Sequence, residues 1–251
     1  MHTNLSLSKQ LEDAGINKRG IVLMHSSMKS IGEVDGGANT VLDVLVAYMR
    51  EGLLVLPTHT WSYINKDNPK FYVETSPSCV GILPELFRLR PGVVRSYHPT
   101  HSVAALGQDA ASFVAGDEHC DTPCNRESVW GKLLDLEATI LLVGVDMRRN
   151  TFIHGIEEWM DIPGRLTDHH EELFAVLGNG TEISIPSRRH QGLDWSAHFW
   201  KVEHRLEEQG AIYKAHFGDA DMWVCNTVKM MDILSNMLRE NPDLFSDNEP
   251  M

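Results

Sequence analysis

Residues 21–57, IVLMHSSMKSIGEVDGGANTVLDVLVAYMREGLLVLP, read as strand, loop, helix and strand, and that order decides the fold class. IVLMH (21–25) and LLVLP (53–57) are short unbroken apolar runs, the pattern of strands buried on both faces. Between them ANTVLDVLVAYMRE (38–51) carries apolar residues at helical spacing and ends at Gly52. Two strands joined through a helix imply a parallel pair with a right-handed crossover. The polar, glycine-bearing loop SSMKSIGEVDGG (26–37) then falls at the carboxyl end of the first strand, where α/β sheets place their chemistry.

Working outward, residues 6–14 have helical periodicity with Gly15 as a stop, and VGILPELFRLR (80–90) reads as a further helix. SVAALG (102–107) and TILLVGVD (139–146) supply more strands. LFAVLGNGTEISIP (173–186) holds two strand-like runs around Asn179-Gly180, a hairpin signal. TVKMMDILSNMLRE (227–240) closes the chain as an amphipathic helix. The expected fold is α/β: a central mixed, largely parallel sheet flanked by helices, with a hairpin-bearing C-terminal addition. One domain over residues 1–251 is expected, with a small subdomain near 165–215.

Acidic residues outnumber Lys and Arg by 35 to 22, a surface that repels nucleic-acid phosphates and attracts small cations. No apolar run reaches the length of a membrane span, and the start MHTNLSLSKQLEDAG lacks a secretory pattern, so a cytoplasmic location is expected. The four cysteines read as free thiols. Cys120 and Cys124 are close enough in sequence to clip a metal, but no second close pair completes a zinc site.

Among thirteen histidines three clusters stand out: His25-Ser26-Ser27, His98-Pro99-Thr100-His101-Ser102, and His154-Gly155-Ile156-Glu157-Glu158. If TFIHGIEEWM is helical, His154 and Glu157 share one face. A carboxylate beside an imidazole fixes its tautomer and stabilises the imidazolium, which suits general base catalysis. A satisfied structural histidine explains the same spacing. Ser26 and Ser27, with the helix start that follows, form either an anion-binding cradle or a simple turn. Ser26 to Lys29 also fits SxxK, but the partner motifs of that serine chemistry are absent. Metal-dependent hydrolysis with ligands from His98, His101, His154 and Glu157 is a further alternative.

Seven segments in order resemble the aminoglycoside 3-N-acetyltransferase family: VLMHSSMKSIGEVDGGANTVLDVL (22–45), LPTHTWS (56–62), VGILPELFR (80–88), VRSYHPTHSVAALG (94–107), TPCNRESVWGKLLDLEATILLVGVD (122–146), NTFIHGIEE (150–158) and FGDADMWVCN (217–226). The resemblance implies direct acetyl transfer from acetyl-CoA to a primary amine, without an acyl-enzyme and without a metal. It implies the 3-amino group of a 2-deoxystreptamine aminoglycoside as acceptor, and hence antibiotic resistance, with another amine as the alternative. It implies His154 as general base and Glu157 as the group that orients it or holds the cation. Ser26, Ser27, Met28, Ile31, Gly32 and Val34 would contact the pantetheine and pyrophosphate of coenzyme A. Thr58, Ser102 and Val103 would line the pantetheine channel, largely through backbone groups. A negatively charged acceptor site is expected, because it favours a cationic amine. The chain departs from the family pattern at Asn125-Arg126-Glu127-Ser128-Val129, and in RLTDHHEEL (165–173) and SRRHQGLDW (187–195).

Overall fold

The computed structural model describes residues 1–191 and 195–250; Gly192, Leu193 and Asp194 of the SRRHQGLDW segment lie outside the described residues. In chain order the elements are α1 (Asn4–Asp13), β1 (Ile21–Ser26), α2 (Met28–Ile31), α3 (Gly37–Tyr48), β2 (Leu53–Pro57), β3 (Lys70–Tyr72), α4 (Ile82–Arg88), β4 (Val94–Arg95), β5 (Val103–Gly107) and α5 (Ala110–Val114). There follow α6 (Val129–Asp135), β6 (Thr139–Val143), α7 (Thr151–Trp159), β7 (Phe174–Val176), β8 (Glu182–Ser184), α8 (Glu203–Glu208), β9 (Ile212–Phe217), β10 (Ala220–Asn226) and α9 (Thr227–Glu240).

Seven strands form the main sheet in the order β4-β5-β2-β1-β6-β10-β9. β1 pairs in parallel with both β2 and β6, and the remaining neighbours are antiparallel. Traced through those pairings, β5 and β10 run against the other five strands. The sheet is therefore mixed and largely parallel in direction, with its parallel pairs confined to the centre.

The unbroken apolar runs have a direct physical reason. Leu23, Val55, Ile140 and Leu142 pack into one core with Trp130, Phe152 and Ile156. The alternate residues Val22, Met24, Leu54, Leu141 and Val143 pack into a second core with Leu7, Leu42, Leu45 and Phe87. Thus α6, α7 and α9 cover one face and α1, α3 and α4 the other, so neither side of a central strand meets water.

The Asn179-Gly180 turn joins β7 to β8 as the sequence predicts, with Gly180 at φ 85°. β7 also pairs in parallel with β3, from the first half of the chain. That three-stranded sheet has its own small core of Ile64, Phe71, Leu173, Ala175 and Ile185. Among the described residues no helix is long and apolar enough to cross a membrane.

Candidate active site

The segment NTFIHGIEE folds as expected. The Asn150 side chain accepts from the Phe152 N–H and caps α7, while Phe152, Ile153 and Ile156 bury the helix against the sheet. The chain reaches α7 directly from β6, beside β1, so His154 stands at the carboxyl ends of the two central strands. Gly155 is needed here: a Cβ would come within 2.8 Å of the Trp159 indole. With glycine in place, Trp159 Nε1 donates to the Cys124 carbonyl at 2.7 Å and ties α7 to the preceding loop.

His154 lines a cavity of about 650 Å³. Its Nδ1 is 3.3 Å from Oε2 of Glu157, which is wholly buried. The other carboxylate oxygen of Glu157 accepts from Arg165 Nε at 2.5 Å. Arg165 also donates to the Pro242 carbonyl at 2.9 Å, and its guanidinium stacks 3.6 Å above the Trp195 ring. His154, Glu157 and the buried Arg165 cation therefore stand in a line. Such a line fixes the imidazole and offsets the charge it acquires on taking a proton.

A second histidine–carboxylate pair lies alongside. The His190 ring stacks on His154 with centroids 4.3 Å apart, and Phe199 meets His154 edge-on at 4.8 Å. His190 Nε2 is 2.7 Å from Glu158 Oε1, which also accepts from the Cys124 N–H at 2.9 Å. The contacts continue from His190 to His101 at 5.1 Å and from His101 to His59 at 4.7 Å. Burial holds His25 down to about 3 and His59, His101 and His190 below the usual histidine range. These four imidazoles form a neutral wall around His154. Trp61, Trp195, Arg148, Arg149 and Arg189 complete much of the remaining lining.

Comparison with known proteins identifies the family. Residues 23–239 match the profile of aminoglycoside 3-N-acetyltransferases. The chain belongs to the aminoglycoside 3-N-acetyltransferase family. It is 30% identical over 84% of its length, and 78% of the relative's, to the SPbeta prophage-derived aminoglycoside N(3')-acetyltransferase-like protein YokD of Bacillus subtilis. Its fold is similar to that of an aminoglycoside acetyltransferase AAC(3)-IVa variant in complex with a gentamicin (TM-score 0.84, 24% identity, 97% and 90% coverage). It is likewise similar to AAC-IIIb in its binary complex with CoASH (TM-score 0.82, 21% identity, 95% and 97% coverage).

Of the residues that the family resemblance assigned to coenzyme A, only Ser26 lines the cavity. Ser27 caps α2, its Oγ accepting from the Ser30 N–H and the Ser30 hydroxyl. Met28 packs against the second core, in which the Ile31 and Val34 side chains are buried. Gly32, at φ 84°, admits the Asp219 carboxylate, which a Cβ would meet at 2.0 Å. These side chains shape the family's loop from within.

Thr58, Ser102 and Val103 are fully buried and do not border the cavity. Thr58 and Ser102 belong instead to a network around buried Arg95, a residue sequence reasoning passed over. Its Nε donates to Thr58 Oγ1 and Ser102 Oγ at 3.0 and 3.2 Å. Its terminal nitrogens donate to the carbonyls of Thr58, Ser76 and Val73.

Of the two HPTH histidines, His101 lines the cavity and His98 serves the fold. His98 Nδ1 accepts from the N–H groups of Thr100 and His101, so Nε2 carries the proton and faces Ser187 Oγ at 3.2 Å. Both nitrogens are engaged, and the ligand set His98, His101, His154 and Glu157 is not brought together. Among the described residues the one compact His/Cys/acid group is Cys124, Glu158 and His190. Burial pushes the Cys124 thiol well above its ordinary value, and its Sγ–H faces the Thr151 carbonyl. Cys120 points to the Gly116 carbonyl.

The expected negative lining is corrected. Glu157 and Glu158 stand behind His154 and His190, and no acidic side chain borders the cavity among the described residues. Arg148 is held by Asp146 at 2.5 Å, and Arg189 by Glu171 at 3.5 Å and by the Trp61 and Ile64 carbonyls. Arg149 is exposed at the cavity. His190 and Arg189 lie in SRRHQGLDW, where the family pattern gives no guide. His59 lies inside the matched segment LPTHTWS between two threonines, and no sequence signal marks it.

Proposed function

We propose that this chain transfers the acetyl group of acetyl-CoA directly to a primary amine, with His154 removing the amine proton. The observation that carries this reading is the line His154–Glu157–Arg165 at the cavity wall. An aliphatic amine is mostly protonated at neutral pH and cannot attack a thioester until it loses a proton. The ammonium proton goes to water; with Nδ1 facing Glu157, the other nitrogen of His154 is left to take the proton that the nitrogen sheds as it attacks, and the buried pair behind it offsets the charge. The exposed guanidiniums of Arg148 and Arg149 suit the phosphates of coenzyme A. Acetyl-CoA and free thiols both fit a cytoplasmic location.

Family membership favours an aminoglycoside as acceptor, acetylated at the 3-amino group of its 2-deoxystreptamine ring. A second reading is favoured by the lining itself. Three arginines and no carboxylate border the cavity among the described residues, and Trp61 and Trp195 offer flat apolar surface. That surface suits an amine of low positive charge.

A thiol-release assay with acetyl-CoA separates the two. Release with 2-deoxystreptamine compounds supports the aminoglycoside reading, and release only with low-charge amines supports the other. No release with any amine would sink the acetyl-transfer reading.

A further inference from the structure

Two histidines on the cavity wall have a ring nitrogen without a hydrogen-bond partner. His25 lies near the end of β1 and His59 follows β2, its neighbour in the sheet. Nε2 of each ring is buried without a partner in the protein, and so is the hydroxyl of Ser26, which lines the same cavity. Burying a polar group without a partner is costly, so three in the lining of one cavity call for an explanation. Most other polar groups of the site are bonded, although Glu157 Oε2 and Glu158 Oε2 are also buried without a hydrogen-bond partner. Ser27 caps a helix, Thr58 and Ser102 bind Arg95, and His190 faces Glu158.

The two imidazoles are also packed in place and uncharged. Both lie against the same buried indole, His59 edge-on to Trp130 at 5.6 Å and His25 stacked at 6.5 Å. Burial depresses both enough to keep them neutral near pH 7. A neutral imidazole offers one N–H donor and carries no charge that would trap a ground-state anion. With a serine hydroxyl in the lining of the same cavity, such donors suit an oxygen that is neutral in the substrate and negative in the transition state.

We infer that His25, Ser26 and His59 form the pocket for the acyl oxygen of the thioester and stabilise the oxyanion. This rests on the acetyl-transfer reading. The amine nitrogen attacks the carbonyl carbon, the C–N bond forms, and the C=O π pair moves onto oxygen as His154 takes the amine proton. Collapse restores C=O and breaks the C–S bond. The proton passes from His154 to the thiolate, leaving an amide and free coenzyme A.

The test uses Ser26→Ala, His59→Leu and His59→Gln, with kcat measured by thiol release, coenzyme A affinity by calorimetry and folding by thermal melts. His59→Leu should lower kcat by roughly 10²- to 10³-fold with coenzyme A affinity unchanged. His59→Gln, which keeps an N–H, should recover at least about tenfold of that loss. Ser26→Ala changes a side chain at the edge of the core and should lower kcat roughly tenfold, so it carries the test if His59→Leu does not fold. Wild-type kcat in Ser26→Ala and His59→Leu, glutamine no better than leucine, or equal losses of kcat and coenzyme A affinity overturn the assignment. No turnover by the unaltered protein with any amine overturns the acetyl-transfer reading, and this assignment with it.

Discussion

The imidazole of His154 lies almost flat on that of His190, with ring centroids 4.3 Å apart and planes 23° from parallel. Each ring has its own carboxylate, Glu157 for His154 and Glu158 for His190. The stack gives the base a fixed face, and a neutral neighbour adds no repulsion when the base takes a proton. His190→Ala should therefore lower kcat roughly ten- to a hundredfold by freeing the His154 ring. His190→Phe, which keeps a flat partner, should retain more of the rate. Steady-state kinetics of the two variants decide it, and His190→Ala at wild-type kcat would contradict the positioning role.

Arg165 and Glu157 form a buried pair, so removing one member leaves a charge without a partner. Arg165→Met should cost about 3–5 kcal/mol of stability and lower kcat as well, because Glu157 orients the base. Chemical denaturation followed by turnover at a temperature where the variant is folded checks both. Unchanged stability would mean that solvent reaches Glu157.

Arg95 supplies five hydrogen bonds that join the end of β2, the start of β5 and the 73–76 segment. Arg95→Met leaves several buried carbonyls and hydroxyls unsatisfied and should cost on the order of 3 kcal/mol or more. Lysine lacks the planar fork and should rescue little. Denaturant unfolding of both variants is the measurement, and full rescue by lysine would refute the network's role.

The buried histidines predict how stability varies with pH. His25 and His98 are held down to about 3, and His59 and His101 well below the usual range, all chiefly by burial. In the unfolded chain they titrate near pH ~6.5. Below that pH the unfolded state binds protons that the folded state refuses, so stability falls as the medium is acidified. The limiting slope is about 1.4 kcal/mol per pH unit for each group. Asp117, raised to about 6 by burial, acts in the opposite sense with one proton against four. Melting temperature should drop steadily from about pH 7.5 to about pH 5, and a flat profile would show that water reaches these rings.

Much of the fold was legible because the central strands are apolar on both faces and their helices are well punctuated. β2 and α9 fall at the predicted residues, and Asn179-Gly180 makes its hairpin. β3 and β4 are too short for alternation to register, and β3 acquires its role only by pairing with distant β7. The direction of β5 and β10 depends on where their connections run, which periodicity does not encode.

In the site, the HxxE spacing of His154 and Glu157 was readable because a helix converts it into adjacency. Arg165 reaches Glu157 across a turn, and His190 arrives from a segment without recognisable pattern. The network in which Arg95 holds the hydroxyls of Thr58 and Ser102 joins residues far apart in sequence, so no local pattern announces it.

His154→Ala removes the proposed base. If His154 has that role, the variant folds, binds coenzyme A with the affinity of the unaltered protein, and loses at least about 10²-fold in kcat for thiol release from acetyl-CoA with an accepted amine. Turnover by His154→Ala at the unaltered rate would contradict it.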